Sequence, residues 1–512
     1  MTQRYSNQVF RRGLGGYLAG RVVNAVLGFS ILIHISRRLS VDEYGKYVAA
    51  YAMLEIGILL CGLGLEWVTA IHLPPTRQKA DGRTVNRFVL QCIAAQGVPL
   101  LLGAAALFGA APLLAGWLGL EGAADVVRAY AIVMWVEGLS RVFRDQILSC
   151  LMMQSAAQSS QLVRNLAMLA FVAFALEREG WRGAEALALG ELLASSLSLL
   201  VGAGCLFREL YRSRHDAAAE PDWQPPRWRS MLATGRNAWI ANLANLSWGP
   251  QAVILLASRV FGAGATAELG FARNLTEQVR KYMPMEFLLS IVRTLLVVRY
   301  TAEGSAAKLG ARVSMLYKAN LLFLLPLLVL VVARGDELCV LLSAGHYGGA
   351  HWLLAGWLGA LVILAHRRLS DVMAHIFGRS IVTMRASVLL LVTPAAVYLA
   401  LRSGQWLWLF LVLALAEFCY STLVVRSLRT ADWAYQPHWP GLARFGLAAA
   451  LAALLVWQLP VPGNALGMLA CAALACVALW GGLYLLRPWS EAELALLPQR
   501  VGKWAQRPVA SR

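Results

Sequence analysis

Long apolar runs recur along the whole chain and are separated by short polar segments. Each run is about 20 residues long, the length that a helix needs to cross roughly 30 Å of hydrocarbon. The pattern predicts an all-α polytopic membrane protein of about 14 transmembrane helices, with 12 as the alternative count because several later runs carry charges or prolines. The predicted spans are 14–35, 47–71, 88–117, 124–148, 160–177, 183–207, 231–257, 267–292, 314–333, 350–377, 383–401, 405–425, 444–460 and 464–486.

The composition agrees with a membrane protein. Hydrophobic residues make up 59% of the 512 and charged residues 14%, with a mean hydropathy of +0.58. Charged residues account for roughly a quarter of a soluble globular chain. The formal net charge is +18, but many Lys and Arg residues lie in short loops between apolar runs and not on a soluble basic face. This placement argues against nucleic acid as a partner.

Lys and Arg residues are unevenly distributed over alternate loops. With the N-terminus in the cytoplasm, the cytoplasmic segments carry more of them than the periplasmic segments, as the positive-inside rule requires. We therefore expect a multi-pass protein of the bacterial inner (cytoplasmic) membrane with both termini in the cytoplasm. After Arg487, the residues Ser490 and Glu493 have the spacing of a capping box, which predicts a short surface helix in the C-terminal tail.

A polar, proline-containing segment divides the chain. Residues 208–230 form the longest soluble stretch and follow the sixth span, where a linker between two lobes is expected. The predicted division is an N-terminal lobe of six spans (1–207), the cytoplasmic linker (208–230), a C-terminal lobe of six spans (231–427), two additional helices (428–486) and a cytoplasmic tail (487–512).

Two segments at equivalent points of the halves resemble each other. The first span ends in SRRLS at 36–40 and is followed by EYG at 43–45, whereas the seventh ends in SRVFG at 258–262 and is followed by ELG at 268–270. Six spans separate the two copies, so both copies have the same orientation. We expect the lobes to be parallel repeats, related by an axis along the membrane normal.

Positive charge inside the predicted spans is most conspicuous in span eight. An Arg or Lys at the bilayer centre costs roughly 2.5–3.5 kcal/mol on insertion scales, so such residues face a partner or a water-filled cavity. Arg273, Glu277 and Arg280 share one helical face, and Lys281 follows. Because cations outnumber acids on this face, we favour an anion site in a cavity. The alternative is an interhelical salt-bridge network.

Span one adds a further cation, Arg21, with Asn24 one turn away on the same face. Diphosphate offers several acceptor oxygens, and the planar fork of arginine is suited to them. A cavity that holds Arg21, Arg273, Arg280 and Lys281 would replace the water around an anionic headgroup and its sugars.

Span seven contains Asn242, Asn245 and Trp248, followed by Gly249 and Pro250. The Gly-Pro pair predicts a break or bend in this helix. Amide groups and an aromatic ring beside a cavity would suit hydrogen bonding and stacking with sugars. Ordinary interhelical hydrogen bonds with a kink are the alternative.

Two carboxylates inside predicted spans, Glu55 and Glu277, are candidates for coupling to a proton or sodium ion. For Glu55 the alternative is a structural ion pair with Arg21 inside the packed bundle.

Structural ion pairs are favoured at two other places. In span four, Glu137 with Arg141 and Arg141 with Asp145 are spaced at i and i+4. In span ten, Arg367 and Asp371 have the same spacing.

Neither catalytic residues nor a metal site nor a cofactor is predicted. The eight cysteines form no CxxC or other metal-ligand pattern, so we expect free thiols that pack as small hydrophobic groups. The chain contains no GxxxxGK[ST] motif, so a P-loop does not supply its energy. An ion gradient or the membrane potential is the expected source.

The segment RLSVDEYGKY at 38–47, followed by GLGL at 62–65, resembles a signature of a known family. It is similar to the first hairpin of Wzx-type polysaccharide transporters in the multidrug/oligosaccharidyl-lipid/polysaccharide (MOP) exporter superfamily. The chain has Ser40-Val41 where that family typically has Gly-Pro. The resemblance implies a flippase that moves undecaprenyl-diphosphate-linked oligosaccharides to the periplasmic leaflet. It also implies that cationic residues on the first and eighth helices, here best matched by Arg21 and Arg273, line the cavity.

Three functions are compatible with a membrane protein of many spans that carries buried charge. The first is a flippase for O-antigen, capsule or exopolysaccharide synthesis, with membrane lipids, a polysaccharide polymerase and other assembly proteins as partners. The second is a MATE-like ion-coupled drug or cation antiporter, whose cavity would need dominant carboxylates. The third is a membrane enzyme such as a sugar polymerase, which would need a large periplasmic loop. Because the longest one spans only about 334–349, the flippase is favoured and an enzyme is not expected.

Overall fold

The computed structural model describes residues 7–120, 122–176, 183–218, 220, 227–284, 286, 306–377, 379–429, 435, 437–459 and 464–496. Within these ranges the regular structure is helical and no strand occurs. Ten helices of this part of the chain are long and apolar enough to cross a membrane. The predicted fold class, a polytopic all-α membrane protein, is confirmed.

The chain divides into two compact units, Met1–Gly270 and Phe271–Arg512. The sequence instead predicts a lobe boundary at the linker 208–230. Within the first unit, the helix that follows this linker packs against the helix that begins at Leu65. The assignment of spans to two six-helix lobes, and the parallel repeat that relates them, stay predictions.

The first unit contains nine α-helices of the described residues and one π-helix, and the last of these α-helices crosses the unit boundary at Gly270. These are α1 (Asn7–Arg38), α2 (Val41–Cys61), α3 (Leu65–Lys79), α4 (Gly82–Leu118), α5 (Ala124–Arg141), a π-helix (Val142–Leu148), α6 (Gln154–Phe174), α7 (Ala184–Ser213), α8 (Trp228–Leu246) and α9 (Pro250–Tyr282), which continues into the second unit. Helix α5 packs against α2, α4 and α7, while α6 packs against α1 and α7.

The second unit contains the last part of α9 and the helices that follow it. These are α10 (Ala306–Ser343), α11 (His351–Ile376), α12 (Ser380–Leu389), α13 (Thr393–Arg402), α14 (Trp406–Leu428), α15 (Trp439–Gln458), α16 (Ala465–Leu486) and α17 (Glu491–Leu494). Helix α10 packs against α11, α15 and α16, and α11 packs against α14.

Span two, predicted as one continuous helix, is interrupted between α2 and α3. Leu63 and Gly64 have φ angles of 49° and 67°, in the left-handed region. A Cβ atom on Gly64 would lie 2.1 Å from the carbonyl oxygen of Gly235 on α8. Both the left-handed backbone and this close approach favour glycine. The interruption therefore lets α8 approach α3 closely.

Proline marks another break that the sequence predicts correctly. Helix α8 ends at Leu246 and α9 begins at Pro250, as expected from the Gly249-Pro250 pair. A second irregularity lies inside α9, where Gly262 has φ 77° and ψ −167°. The predicted span 383–401 is also divided, because α12 ends at Leu389 and α13 begins at Thr393.

Apolar side chains on the outer faces of the spanning helices are exposed, as lipid-facing residues are. Leu113 on α4 and both Leu466 and Leu485 on α16 are each more than three-quarters exposed. In a soluble protein such surfaces would be an aggregation hazard, but hydrocarbon solvates them without cost. The chain is therefore a multi-pass membrane protein.

The two similar segments, at 36–45 and 258–270, contain glycines that allow close packing inside the first unit. A Cβ atom on Gly45 would lie 2.2 Å from the carbonyl oxygen of Ala263. A Cβ atom on Gly270 would lie 2.4 Å from a methyl group of Val48. The shared glycine of the EYG and ELG segments is thus explained by contacts between the neighbourhoods of the two segments.

Candidate functional site

A buried ion network occupies the interior of the first unit, with the carboxylate of Glu137 at its centre. The side chain of Glu137 is 3% exposed. Its oxygens accept hydrogen bonds from Arg141 Nε at 2.8 Å, Arg164 Nε at 3.1 Å and Ser195 Oγ at 2.9 Å. Three donors from three helices therefore satisfy one carboxylate, which is what a charge inside a bilayer requires.

Two more carboxylates complete the network. Arg141 donates from Nη2 to Glu55 on α2 at 2.7 Å. Arg164 donates from Nη2 to Glu191 on α7 at 2.5 Å. These arginines are therefore neutralised by glutamates from neighbouring helices. Glu55, a candidate for ion coupling, pairs here with Arg141 of α5.

The π-helix changes the predicted pairing at the end of span four. The Glu137–Arg141 pair is confirmed, but the predicted Arg141–Asp145 pair is wrong. Asp145 instead accepts from Arg144 Nε at 2.9 Å. In a π-helix the hydrogen bonds run from i to i+5, so residues four apart no longer lie directly above one another. The i,i+4 rule therefore fails at this position.

Asn24 on α1 takes part in an amide cluster with α6. Its Nδ2 donates to Gln158 Oε1 at 3.1 Å, and Asn165 Nδ2 donates to Asn24 Oδ1 at 3.1 Å. Gly20 allows this approach, since a Cβ atom there would lie 3.1 Å from the side chain of Gln158. Arg21 is half-buried on the same helix. Asn24 is therefore engaged in helix packing.

The polar residues of span seven lie at the end of α8 and in the break after it. Asn242 donates to Glu66 Oε1 on α3 at 3.2 Å. Asn245 is half-buried, and Trp248 is 3% exposed in the break before Pro250. Asn242 thus joins two helices of the first unit, while the ring of Trp248 is packed inside the protein.

The predicted cationic face of span eight lies on the part of α9 that belongs to the second unit. Arg280 Nη2 pairs with Glu277 Oε1 at 2.6 Å. Lys281 is exposed, and its positive charge acts on the same carboxylate. The face therefore has one acid for three cations, counting Arg273.

Arg273 differs from the arginines of the first unit. It is half-buried, and its Nη1 donates to Asn274 Oδ1 at 3.1 Å. Its buried Nε has no hydrogen-bond partner, and no carboxylate of the described residues lies within ion-pair distance. Arg273 is thus a half-buried cation that forms no direct ion pair with a carboxylate of the described residues.

A further ion cluster in the second unit connects α11 and α14. Arg367 Nη1 donates to Glu417 Oε1 at 2.6 Å, and its guanidinium lies 4.0 Å from the ring centroid of Tyr420. Asp371, the predicted partner of Arg367, accepts from the hydroxyl of Tyr420 at 2.8 Å. The residues of span ten thus bind to α14 across the helix interface.

The C-terminal tail is joined to α10 by a fully buried ion pair. The capping box is confirmed, with Ser490 and Glu493 bonded reciprocally. Glu493 is not on the surface, however, because it is 1% exposed and accepts from Lys318 at 2.6 Å and Ser314 at 2.5 Å. Burial would raise the pKa of Glu493, but the hydrogen bonds from Lys318 and Ser314 outweigh it and hold this pKa below its ordinary value.

Four buried charged residues were not predicted from the sequence, because their partners lie on other helices: Arg164, Glu191, Lys318 and Glu417. Their presence inside apolar runs was the one indication of buried ion pairs. Among the described residues, no group of three or more His, Cys, Asp or Glu is placed to hold a metal ion. All eight cysteines are free thiols.

The chain matches the family described as "Polysaccharide biosynthesis protein" over residues 10–296, which is more than half of its 512 residues. No curated protein matches it by sequence.

The fold is similar to that of several solved transporters. For the lipid II flippase MurJ in an inward closed conformation, the TM-score is 0.68 at 10% identity, covering 92% of this chain and 98% of that chain. For an inward-facing multidrug resistance MATE family transporter of the MOP superfamily, it is 0.62 at 14% identity, covering 80% and 97%. For the MATE multidrug transporter DinF-BH, it is 0.58 at 12% identity, covering 84% and 96%.

Proposed function

Because this chain belongs to the polysaccharide biosynthesis protein family, we propose that it is a flippase for undecaprenyl-diphosphate-linked oligosaccharides. The resemblance of its first hairpin to polysaccharide transporters of the MOP superfamily is confirmed by that membership and by the shared fold. We propose that the protein lies in the bacterial inner membrane with both termini in the cytoplasm. It delivers repeat units to the periplasmic leaflet for O antigen, capsule or exopolysaccharide.

The observation that carries this proposal is the guanidinium of Arg273, which forms no direct ion pair with a carboxylate in the described part of the chain. A charge inside a membrane protein is normally paired or faces a water-filled cavity. Arg141 and Arg164 follow the first rule, since glutamates hold them at 2.5–3.1 Å. Arg273 has only an amide oxygen and leaves its Nε without a partner. An anionic ligand would satisfy both its charge and its free donor.

A diphosphate fits this part of α9 chemically. Arginine donates from two parallel N–H groups, which match two oxygens of a phosphate. Arg280 and Lys281 lie two turns further along the helix, and Glu277 neutralises only one charge. We assign diphosphate binding to Arg273, Arg280 and Lys281.

The first unit holds further residues that the sequence assigns to substrate binding. We propose that Arg21 and Asn24 on α1 bind the headgroup, and that Asn242, Asn245 and Trp248 contact sugars. Arg21 is half-buried. Asn24 and Asn242 hydrogen-bond to neighbouring helices, so cargo binding would exchange these contacts.

The same charges argue against cationic cargo. A drug or cation antiporter would need carboxylates that are free to bind its substrate. Glu55, Glu137, Glu191 and Glu277 each pair with an arginine at 3.1 Å or less. Binding a cation at any of them would require breaking an ion pair, which is costly in a low-dielectric interior.

Transport energy is proposed to come from an ion gradient or the membrane potential. Moving one elementary charge across the membrane is worth about 2.3 kcal/mol per 100 mV. Glu55 and Glu277 are the proposed coupling residues. A proton or sodium ion would displace the arginine partner only at a cost that the gradient supplies, which would link ion binding to rearrangement of these ion pairs.

Complementation tests the function. A strain that lacks a known oligosaccharide flippase would receive the wild-type gene, the Arg273→Ala variant or the matched Arg259→Ala variant. Arg259 is an exposed arginine on the same helix. The lipid-linked repeat units in each leaflet would be quantified at equal protein abundance. Wild type and Arg259→Ala should move repeat units outward, and Arg273→Ala should not. Full transport by Arg273→Ala would reject the diphosphate site.

A further inference from the structure

The second unit contains a cavity of about 330 Å³ that is separate from the cationic face of α9. It lies between α10, α11, α14 and the segment that leads into α15. Tyr317, His366 and Tyr435 line one wall, and Ser421 and Arg426 line another. Its volume falls within the range of about 300–1,000 Å³ that is typical of small-molecule sites.

The α14 wall changes from apolar to cationic along the helix. Phe418, Ser421, Val425, Arg426 and Arg429 all line the cavity. Phe418, Ser421, Val425 and Arg429 are three or four residues apart, which places them on one face of the helix, and Arg426 lies at the edge of that face. The cations come last, at the end of α14. An elongated amphiphile with an anionic head at this end would match the order of side chains.

Ser421 presents an unsatisfied buried hydroxyl to the cavity. The residue is 3% exposed, and its Oγ has no hydrogen-bond partner in the structure. Leaving a buried hydroxyl unsatisfied costs roughly 1–3 kcal/mol. Since Ser421 lines the cavity, a ligand oxygen there would remove this cost.

The two arginines at the end of the cavity are available for an anion. Both Arg426 and Arg429 are exposed, and neither has an acidic partner within the described residues. At the apolar end of the wall, the rings of Phe418 and Trp439 lie 6.3 Å apart and are 46% and 56% exposed. An exposed tryptophan is typical of the boundary between headgroups and hydrocarbon. The cavity thus has a cationic end and an apolar flank.

We propose that this cavity binds the headgroup of an anionic phospholipid, with the phosphate between Arg426 and Arg429. The glycerol oxygens lie near Ser421, and the acyl chains run along Phe418 and Trp439 into the bilayer. A free phosphate would match the arginines equally well but would leave the apolar flank unused. The apolar flank therefore favours a membrane lipid over a soluble phosphate ester.

The site is distinct from the proposed transport site, because none of its residues lies on α9. Phospholipid binding in this cavity therefore does not depend on the cargo. The proposal can therefore fail while the flippase function stands, and the reverse is also true.

Native mass spectrometry of the purified full-length protein tests the site. Phosphatidylglycerol and phosphatidylcholine with identical acyl chains would be titrated separately. Wild type should bind phosphatidylglycerol at least about tenfold more tightly. Both lipids carry the phosphodiester, but the choline ammonium of phosphatidylcholine cancels its charge and is repelled by the two arginines. The Arg426→Gln/Arg429→Gln variant should lose this preference. The control, Arg385→Gln/Arg402→Gln, removes two exposed arginines of the same unit that do not line the cavity.

A second variant reports on the cavity without changing its charge. Ser421→Ala removes the unsatisfied hydroxyl, so it should weaken phosphatidylglycerol binding by about twofold to tenfold. Without lipid, its unfolding temperature should be equal to or above that of wild type. Equal binding of both lipids, or an unchanged preference in the Arg426/Arg429 variant, would overturn the proposal. Glycerol 3-phosphate binding with the affinity of the intact lipid would assign the site to a soluble phosphate ester instead.

Discussion

Lys318 Nζ lies 2.6 Å from Glu493 Oε2, although 175 residues separate them in the chain. The side chains are 0% and 1% exposed. Lys318 also donates to the carbonyl oxygen of Pro488 at 2.8 Å. The pair therefore anchors the segment after the last spanning helix to α10.

Removing one partner of this pair should destabilise the second unit. Glu493→Ala leaves the buried ammonium of Lys318 without its counter-charge, and such a loss typically costs about 3–5 kcal/mol. The unfolding temperature of the detergent-purified protein should fall accordingly. Lys318→Met combined with Glu493→Gln removes both charges and should recover part of the loss. A double variant less stable than Glu493→Ala would contradict this account.

The carboxylate of Glu493 should also make the stability of the folded protein depend on pH. The pKa of Glu493 in the folded protein lies below its ordinary value of 4.5. Its contribution to stability is therefore complete above that value and is lost as the pH falls through the lower folded-state pKa. The difference in unfolding temperature between wild type and Glu493→Gln should be constant near neutral pH and narrow below pH 4.5. The same comparison with Glu491→Gln, an exposed neighbour, serves as control. A difference that widens on acidification would refute the assignment.

The network around Glu137 should govern stability and not cargo recognition. Glu137→Gln would leave Arg141 and Arg164 without the carboxylate that they share, so protein abundance in the membrane should drop strongly. The control is Asp125→Asn, which removes a surface pair with Arg128 whose side chains are 69% and 41% exposed. That change should alter stability by less than about 1 kcal/mol. Abundance of both variants would be measured by fluorescence of a C-terminal fusion.

Two glycines should respond oppositely to alanine. Gly64 has a φ of 67° and lies against the carbonyl oxygen of Gly235, so Gly64→Ala should destabilise the α3–α8 contact by more than about 1–2 kcal/mol. Gly109 lies inside α4, and a Cβ atom there would meet nothing within 4 Å. Gly109→Ala should be neutral or stabilising by about 0.5–1 kcal/mol. The unfolding temperatures of both variants would be compared with that of wild type. An unchanged unfolding temperature for Gly64→Ala would show that α8 can shift to make room for the added methyl group.

Charge and geometry at Arg273 can be separated by a conservative change. Arg273→Lys keeps the positive charge but loses the planar fork that suits phosphate oxygens. When lipid-linked repeat units are quantified in each leaflet, this variant should transport more slowly than wild type but faster than Arg273→Ala. Transport by Arg273→Lys at the wild-type rate would show that only charge is needed. Equal failure of both variants would show that the two-pronged contact is essential.

Local features of the structure were predictable from neighbouring residues. The capping box of Ser490 and Glu493 is set within four residues, and the break after α8 follows from Pro250, which cannot donate a backbone hydrogen bond. The break at Leu63–Gly64 was not predicted, since isolated glycines are tolerated in helices. Its cause is the approach of Gly235, which is distant in the sequence.

Ion pairs were predictable from the sequence only within regular α-helices, where residues four apart lie on the same face. Glu137 and Arg141 pair as the i,i+4 spacing predicts. Asp145 does not pair with Arg141, because the π-helix changes the register between them. Arg164 brings together Glu137 of α5 and Glu191 of α7, which no local spacing could indicate.

A membrane-spanning helical protein follows from the apolar runs alone, because hydrocarbon demands long apolar helices whose backbone bonds are local. The runs also show which spans carry charge, since each charge interrupts an apolar run. Which charges form ion pairs depends on the tertiary structure. Glu493 pairs with Lys318 and Glu137 with Arg164, whereas Arg273 pairs with no carboxylate of the described residues. That outcome depends on which helices pack together, and packing is a non-local property.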